Sequence, residues 1–307
     1  QRSEQALVLA MMEMVINGVS TRKVEIITEE LCGKKFSKST VSALCKKLDP
    51  IIEAFRTRPL KCHYPFVVVD AIYVKVRENG RIRSRGLLIA IGINEEGYRE
   101  VIGFQLANSE SESCWGEFFS SLKERGLKNV DLVTSDDHKG LVNAVRRHFQ
   151  GAVWQRCQTH FSKNILDHTP KTLQPELKEE LCQIYEAVDL ESARSIRDRI
   201  IQTYEAKAPK ATAILDEAFD DITAVLALPL KYRKRLRTTN SVERLNQEIR
   251  RRERVIRIFP NTASVIRLMG ALLMEQDERW QTGRKYFDMQ LYYQIRNEKN
   301  PKPGTAA

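Results

Sequence analysis

The strongest constraint on the fold lies between residues 65 and 156, where the hydrophobic period switches between strand and helix in a fixed order. Three β-rich runs, PFVVVDAIYVKV, RGLLIAIGIN and REVIGFQLA, are separated only by the turn-forming segments NGRIRS and EEGY. Short polar connections of this kind join antiparallel neighbours, so the runs predict a meander. SESESCWGEFFSSLKERGL then carries serine caps, an apolar face of Trp115, Phe118, Phe119 and Leu122, and a stop at Gly126, which predicts a helix. VDLVTSDD reads as a buried strand, KGLVNAVRRHF as a helix and AVWQRC as a further strand. The order βββαβαβ specifies an α/β fold with helices packed on a sheet.

Around this core the chain is helical. Residues 1–60 contain an apolar-rich stretch to Ile16, a break at Gly18, and two helices about a short turn in STRKVEIITEELCGKKFSKSTVSALCKKLDPIIEAF. The first is expected to start at a Ser20 or Thr21 cap and end at Gly33. The second is expected to follow the Ser37–Ser39 caps, turn Val41, Leu44 and Leu48 inward, and stop near Pro50. These are helix-turn-helix proportions, and the second helix would present Lys38, Ser39, Thr40 and Ser42 at the end where base edges in a major groove are read. A helical hairpin packed on the core has the same pattern. Residues 61–160 form the first part of the core, 161–235 an inserted α-helical subdomain of mostly polar composition, and 236–295 a return of helices to the core, among them VIRLMGALLMEQDERW. Residues 296–307, ending PKPGTAA, read as a flexible tail.

Three carboxylates stand out against this plan. Asp70 interrupts the apolar strand VVVDAIYVKV, where an ionised group is costly to desolvate without a compensating charge. Alternation puts Ile72, Val74 and Val76 on the Asp70 face and Lys75 and Arg77 on the other, which favours a metal ion over a salt bridge. Asp136 closes LVTSDD at the C-terminal edge of its strand, where ligand sites of α/β sheets gather. Asp137 competes with it, and the tandem is expected to give one metal ligand, Asp136, and one cap for the next helix. Glu243 lies in TTNSVERLNQEIRRR, where Asn240 and Glu243 also have capping-box spacing, a sufficient structural reason for the glutamate. Helical spacing nevertheless gathers Asn240, Glu243, Asn246 or Gln247, and Arg250 on one face, beside an apolar stripe of Val242, Leu245 and Ile249. Three oxygen ligands suit Mg2+ or Mn2+, and two such ions about 3.5–4 Å apart serve phosphodiester chemistry by activating the attacking oxygen and stabilising the leaving one.

Charge points to the same class of substrate. The chain has a net charge of +10, and from Lys231 to Arg257 eleven basic residues stand against Glu243, Glu248 and Glu253, a net +8. A solvated helix face intersperses the two signs, so this excess argues for phosphate contact. Arg237, Asn240, Arg244, Asn246, Arg250, Arg251 and Arg252 are the candidates to meet a DNA backbone. The six cysteines are scattered with no CxxC pair, as expected of reduced thiols in a cytoplasmic protein. Cys157 and His160 have CxxH spacing in WQRCQTHFSKN, but a structural zinc site needs about four protein ligands and only Cys62 and His63 offer more. The pair is therefore expected to pack with Trp154 beneath the active site. No run reaches the roughly 18 apolar residues of a membrane span, so no membrane partner is expected. The chain begins with Gln1 instead of Met, so its natural start is expected upstream.

The βββαβαβ order, with one carboxylate in the middle of the first strand and another ending the fourth, resembles the ribonuclease H-like core, in which those two strands lie side by side and bring Asp70 and Asp136 together. Longer stretches resemble the Mutator-type transposases of bacterial insertion sequences: STRKV, VVVDAIYVKVRENG, AIGINEEGYREVIGF, SESESCWGEFFSSLKERGL, LVTSDDHKGL, WQRCQTHFSKN and TTNSVERLNQEIRRRERVIRIFPN. The resemblance implies a DNA transposase with Asp70, Asp136 and Glu243 as a DDE triad, the helical insertion between the last strand and Glu243, and Cys157 and His160 as the family's C-x-x-H signature. It implies cleavage and strand transfer at terminal inverted repeats and target DNA, normally by a homodimer, in the bacterial cytoplasm and on the nucleoid when bound to DNA. It also implies a further helical region before Gln1. One departure is Asp137, where family members often carry Gly or Ala. Two other readings compete: a catalytically inactive DNA-binding regulator derived from a transposase, against which the intact triad argues, and a ribonuclease H-like nuclease without joining activity, against which the insertion and the DNA-reading N-terminus argue.

Overall fold

A computed structural model describes residues 2–33 and 36–299. Three short helices come first. α1 (Arg2–Ile16) is followed by α2 (Thr21–Cys32), which starts on Ser20, whose hydroxyl accepts from Lys23 N at 3.3 Å. It stops at Gly33, in the left-handed conformation at φ 62°, where a Cβ would be strained. α3 (Lys38–Cys45) starts on Ser37, which accepts from Thr40 N at 3.2 Å. Both caps and the glycine stop are those the sequence predicts, while Lys34 and Lys35 of the expected turn lie outside the described residues. Met11, Met12, Val24, Val41 and Cys45 form a small core among these helices. Pro50 does not close the last of them: a 3-10 turn over 46–48 leads into α4 (Asp49–Thr57), with Pro50 in the first turn, where a missing N–H costs nothing.

The sheet follows. β1 (Phe66–Glu78), β2 (Arg81–Ile93) and β3 (Arg99–Ala107) form the expected antiparallel meander, with Phe66 opposite Ile93 and Glu78 opposite Arg81. α5 (Glu112–Glu124), β4 (Leu132–Ser135), α6 (Lys139–His148) and β5 (Val153–Arg156) complete the βββαβαβ order. β4 pairs parallel with β1, and β5 parallel with β4, so the five strands lie in the order β3-β2-β1-β4-β5. The fold is thus mixed α/β with β1 at the centre of its sheet. Period-2 alternation on β1 sends Val67 and Val69 to a core with Trp115, Phe119, Leu122 and Leu141 of α5 and α6. Phe66, Val68, Ile72, Val74 and Val76 face the opposite layer.

That layer is assembled from the end of the chain. α7 (Gln158–Asp167), α8 (Gln174–Tyr185), α9 (Leu190–Tyr204) and α10 (Pro209–Thr223) pack around a separate core that includes Phe161, Leu177, Ile200, Leu215 and Phe219. The Gln155 and Gln158 side chains tie it to the sheet by donating to Ile222 O at 3.0 and 2.8 Å. α11 (Leu230–Leu236), α12 (Asn240–Ile256) and α13 (Thr262–Gln281) then return to β1, placing Leu236, Val242, Leu245, Ile249, Val265 and Met269 against it. Each such buried aliphatic side chain contributes about 1.5–3 kcal/mol of transfer free energy, so three suffice to seat the highly charged α12. α14 (Gln290–Lys299) takes in residues 296–299, for which a tail was expected; 300–307 lie outside the described residues. Among the described residues no helix is long and apolar enough to cross a membrane.

Candidate active site

The parallel pairing of β1 with β4 sets Val68 opposite Thr134. Carrying that register two residues on brings Asp70 level with Asp136, just past the end of β4. Asp70 is 8 % exposed; its Oδ1 accepts from Ala71 N at 2.8 Å and its Oδ2 from the Asn246 amide of α12 at 2.7 Å. Burial pushes its carboxyl up to about 7, against the hydrogen bond from Ala71 N, and the charge of Asp136 raises it further. Neither cation of its own strand reaches it, since Lys75 is exposed and Arg77 lies on the same opposite face; the positive charge that it feels is that of His160, which lowers its carboxyl. Asp136 Oδ1 is buried with no hydrogen-bond partner within the protein, and so is Asn246 Oδ1. Two unsatisfied buried oxygens beside a desolvated carboxyl make an oxygen-lined place whose neighbouring positive charge is that of His160.

The neighbouring aspartate is engaged elsewhere. Asp137 forms an ion pair with Arg156 at 2.9 Å and lines a different cavity, with Arg146, Trp154 and Asp221. It does not cap α6, whose N-cap is His138 without a side-chain bond, so the residue expected as a cap is an ion-pair partner instead. Trp154 is linked to Asp136 through Ser135, not to Cys157 or His160 by a hydrogen bond: its Nε1 donates to Ser135 Oγ at 2.9 Å, and that hydroxyl donates to Asp136 O at 2.7 Å.

Glu243 sits in the first turn of α12, but Thr239, not Asn240, is the N-cap, so the glutamate is one position too late for a capping box and none forms. Its Oε1 instead accepts from Thr239 Oγ1 at 3.1 Å. Thr239 in turn meets Cys157, Oγ1 to Sγ at 3.3 Å and N to Sγ at 3.4 Å. Among the described residues the ligand atoms of Cys157, His160 and Glu243 all lie within 4.8 Å of one another, and no comparable group joins Glu243 to Asp70 and Asp136. A hydrogen bond to Cys157 raises the His160 imidazole to about 9 despite burial, and the charges of Asp70 and Asp136 add to it. Burial would raise the Cys157 thiol, but hydrogen bonds from His160 and Thr239 hold it below its ordinary value. His160 is therefore coupled by charge to both aspartates while a ring nitrogen lies within 4.8 Å of the Glu243 carboxylate, a link that the sequence did not suggest.

Sequence reasoning also missed Glu110, in the loop before α5. Burial and the charge of Asp136 raise its carboxyl, and Tyr73 hydrogen-bonds it. Gly140 lets this loop approach α6, since a Cβ there would meet Glu110 O at 2.5 Å.

The basic residues divide into two groups. Arg244, Arg250 and Arg251 are exposed on α12 along with Asn240, although Arg250 also donates to Tyr73 O at 2.7 Å and Arg251 pairs with Glu248 at 3.2 Å. Asn246 is turned to Asp70. Arg237 donates to Tyr185 O at 3.0 Å and so braces the α7–α10 subdomain. Arg252, expected on the DNA-facing side, is only 5 % exposed: it donates to Ile16 O at the end of α1 and pairs with Glu248. On α3, Lys38, Ser39, Thr40 and Ser42 are exposed, but the Ser39 and Thr40 hydroxyls bond the Ser37 cap. Lys38 and Ser42 border a cavity of about 340 Å3 between α3 and the α12–α13 connection.

Comparison with known proteins fits this arrangement. Residues 1–283 match the family model described as transposase, Mutator family. The transposase for insertion sequence element IS256 in transposon Tn4001 of Staphylococcus aureus is 46 % identical over 292 residues, covering 94 % of this chain and 75 % of the relative. The transposase for element ISRM5 of Rhizobium meliloti is 44 % identical over 289 residues, 94 % of this chain and 73 % of its own length. That for element IS1081 of Mycobacterium tuberculosis is 43 % identical over 297 residues, 96 % and 72 %. The chain belongs to the Mutator family of transposases.

Proposed function

We propose that this transposase binds the terminal inverted repeats of an insertion sequence and both cuts and joins DNA, with Asp70, Asp136 and Glu243 as one active site on a ribonuclease H-like core. The observation that carries the reading is the β1–β4 register, which sets two carboxylates side by side with Asp136 Oδ1 buried and unpartnered. The donor set fits a hard cation: every available ligand on Asp70, Asp136 and Glu243 is a carboxylate oxygen. These residues would hold two Mg2+ or Mn2+ ions, which activate an attacking water or 3′-hydroxyl and stabilise the leaving oxygen.

The chain's own residues supply the rest. Asn246 fixes the Asp70 carboxylate through its 2.7 Å bond, and Trp154 and Ser135 brace the Asp136 backbone. Glu243 joins the aspartates by rotating off Thr239. Arg244, Arg250 and Arg251 offer charge-assisted contacts to phosphates along α12, and α1–α3 serve as a helix-turn-helix-like reader. Two copies would hold the two element ends together, with residues 161–235 an insertion between the halves of the core.

The test is a duplex carrying the cognate element end, incubated with the protein and Mg2+. Cleavage at the end followed by strand transfer is expected. Tight binding without cleavage supports a DNA-binding regulator instead, and cleavage without joining supports a nuclease.

A further inference from the structure

We propose that Cys157, His160 and Glu243 form a binding site for a thiophilic divalent cation of the Zn2+ class, and that this site draws Glu243 away from the two aspartates. The cluster was not expected, because from the sequence the only partners for Cys157 and His160 were Cys62 and His63. Those two lie at the opposite end of the strands, in the segment leading into β1, where His63 Nδ1 is 2.7 Å from the Asn129 amide. The third ligand comes instead from a residue more than eighty positions away, because α7 and α12 point their first turns at each other.

The geometry suits such an ion. A tetrahedral Zn2+ with N, O and S donors sets those atoms about 3.3–3.6 Å apart, so separations within 4.8 Å close by small side-chain rotations. Cys157 is fully buried, His160 Nδ1 is buried with no hydrogen-bond partner, and Thr239 N–H is placed to donate to the sulfur. Three protein ligands leave a fourth position open, the pattern of sites that keep a water or substrate ligand rather than of closed structural ones. A thiolate and an imidazole select Zn2+ over Mg2+, whereas Asp70 and Asp136 offer only hard oxygens. Glu243 is the one residue both sites need. The withdrawal of Glu243 rests on the proposed DDE reading; the cation site itself does not.

Co2+ added to the protein is the probe, because thiolate ligation gives it a near-ultraviolet charge-transfer band. One equivalent is expected to produce the band, and Zn2+ to displace it. Cys157→Ser should abolish the band, Glu243→Gln should weaken Co2+ binding roughly tenfold or more, and Asp70→Asn should leave the band in place. Absence of the band in the wild type, its survival in Cys157→Ser, or unchanged affinity in a folded Glu243→Gln variant would overturn the site. Millimolar Mg2+ should lower the apparent Co2+ affinity of the wild type but not of Asp70→Asn. Loss of that competition alone would overturn the sharing of Glu243 and leave the cation site standing.

Discussion

Asp70→Asn should make the protein more stable while destroying its activity, and the size of the gain follows from the site. The folded carboxyl is pushed up to about 7 from an ordinary value of 3.8, so ionising it in the folded protein is penalised. Because the shift is upward, the penalty is absent below about pH 4, grows by about 1.4 kcal/mol per pH unit, and levels off above pH 7. At pH 8 it reaches about 4 kcal/mol, and at pH 5 only about 1.6 kcal/mol. An asparagine carries no such penalty. Its amide can still accept from Ala71 N, and a flip of the Asn246 amide presents the unpartnered Asn246 Oδ1 to the new NH2 group. Thermal unfolding followed by circular dichroism without divalent metal should therefore show the variant melting about 6 °C above wild type at pH 8, and the gap shrinking to about 2–3 °C at pH 5. Added Mg2+ should raise the wild-type midpoint and leave the variant unmoved. A variant less stable than wild type at pH 8, or a gap independent of pH, would refute the claim that Asp70 is a strained carboxylate kept for metal.

Other expectations follow from the same geometry. Asp136→Ala should abolish DNA cleavage with binding retained, whereas Asp137→Ala, which only frees Arg156, should keep cleavage within a few-fold; the reverse pattern in a nicking assay would exchange their roles. Arg252→Ala leaves Ile16 O without its partner and should cost about 1–3 kcal/mol in urea unfolding, with no change in the salt dependence of DNA binding. Arg244→Ala should do the opposite, leaving stability within about 0.5 kcal/mol and reducing the slope of log K against log salt by about 0.9 in filter binding. Trp154→Phe removes the donor to Ser135 Oγ and should lower stability by about 1 kcal/mol, read from the same unfolding curves.

The element order was legible because the period of hydrophobic residues is a local property, and the capping serines and Gly33 are local signals too. Asp70 was legible for a similar reason: a charge in an apolar strand is anomalous whatever surrounds it. Convergence of distant segments was not legible. Nothing in WQRCQTHFSKN shows that its helix begins against the first turn of α12, so the meeting of Cys157, His160 and Glu243 could not be read from spacing. Glu110 lies in an irregular loop, where periodicity carries no information. Arg252 is different, since Val242, Leu245, Ile249 and position 252 share one helical stripe. Its burial could have been foreseen from phase, but the density of charge around it drew attention to phosphate instead. The capping box at Asn240 failed by one residue, within the usual uncertainty of a helix start.

The most direct measurement of the central claim is metal rescue of cleavage. Asp136→Cys should be inactive in Mg2+, which binds thiolate poorly, and regain at least roughly tenfold activity in Mn2+, while Asp137→Cys behaves as wild type in both. Rescue would show the residue at position 136 touching the metal during DNA cutting. Equal activity of Asp136→Cys in the two metals, or rescue at position 137 instead, would contradict the account.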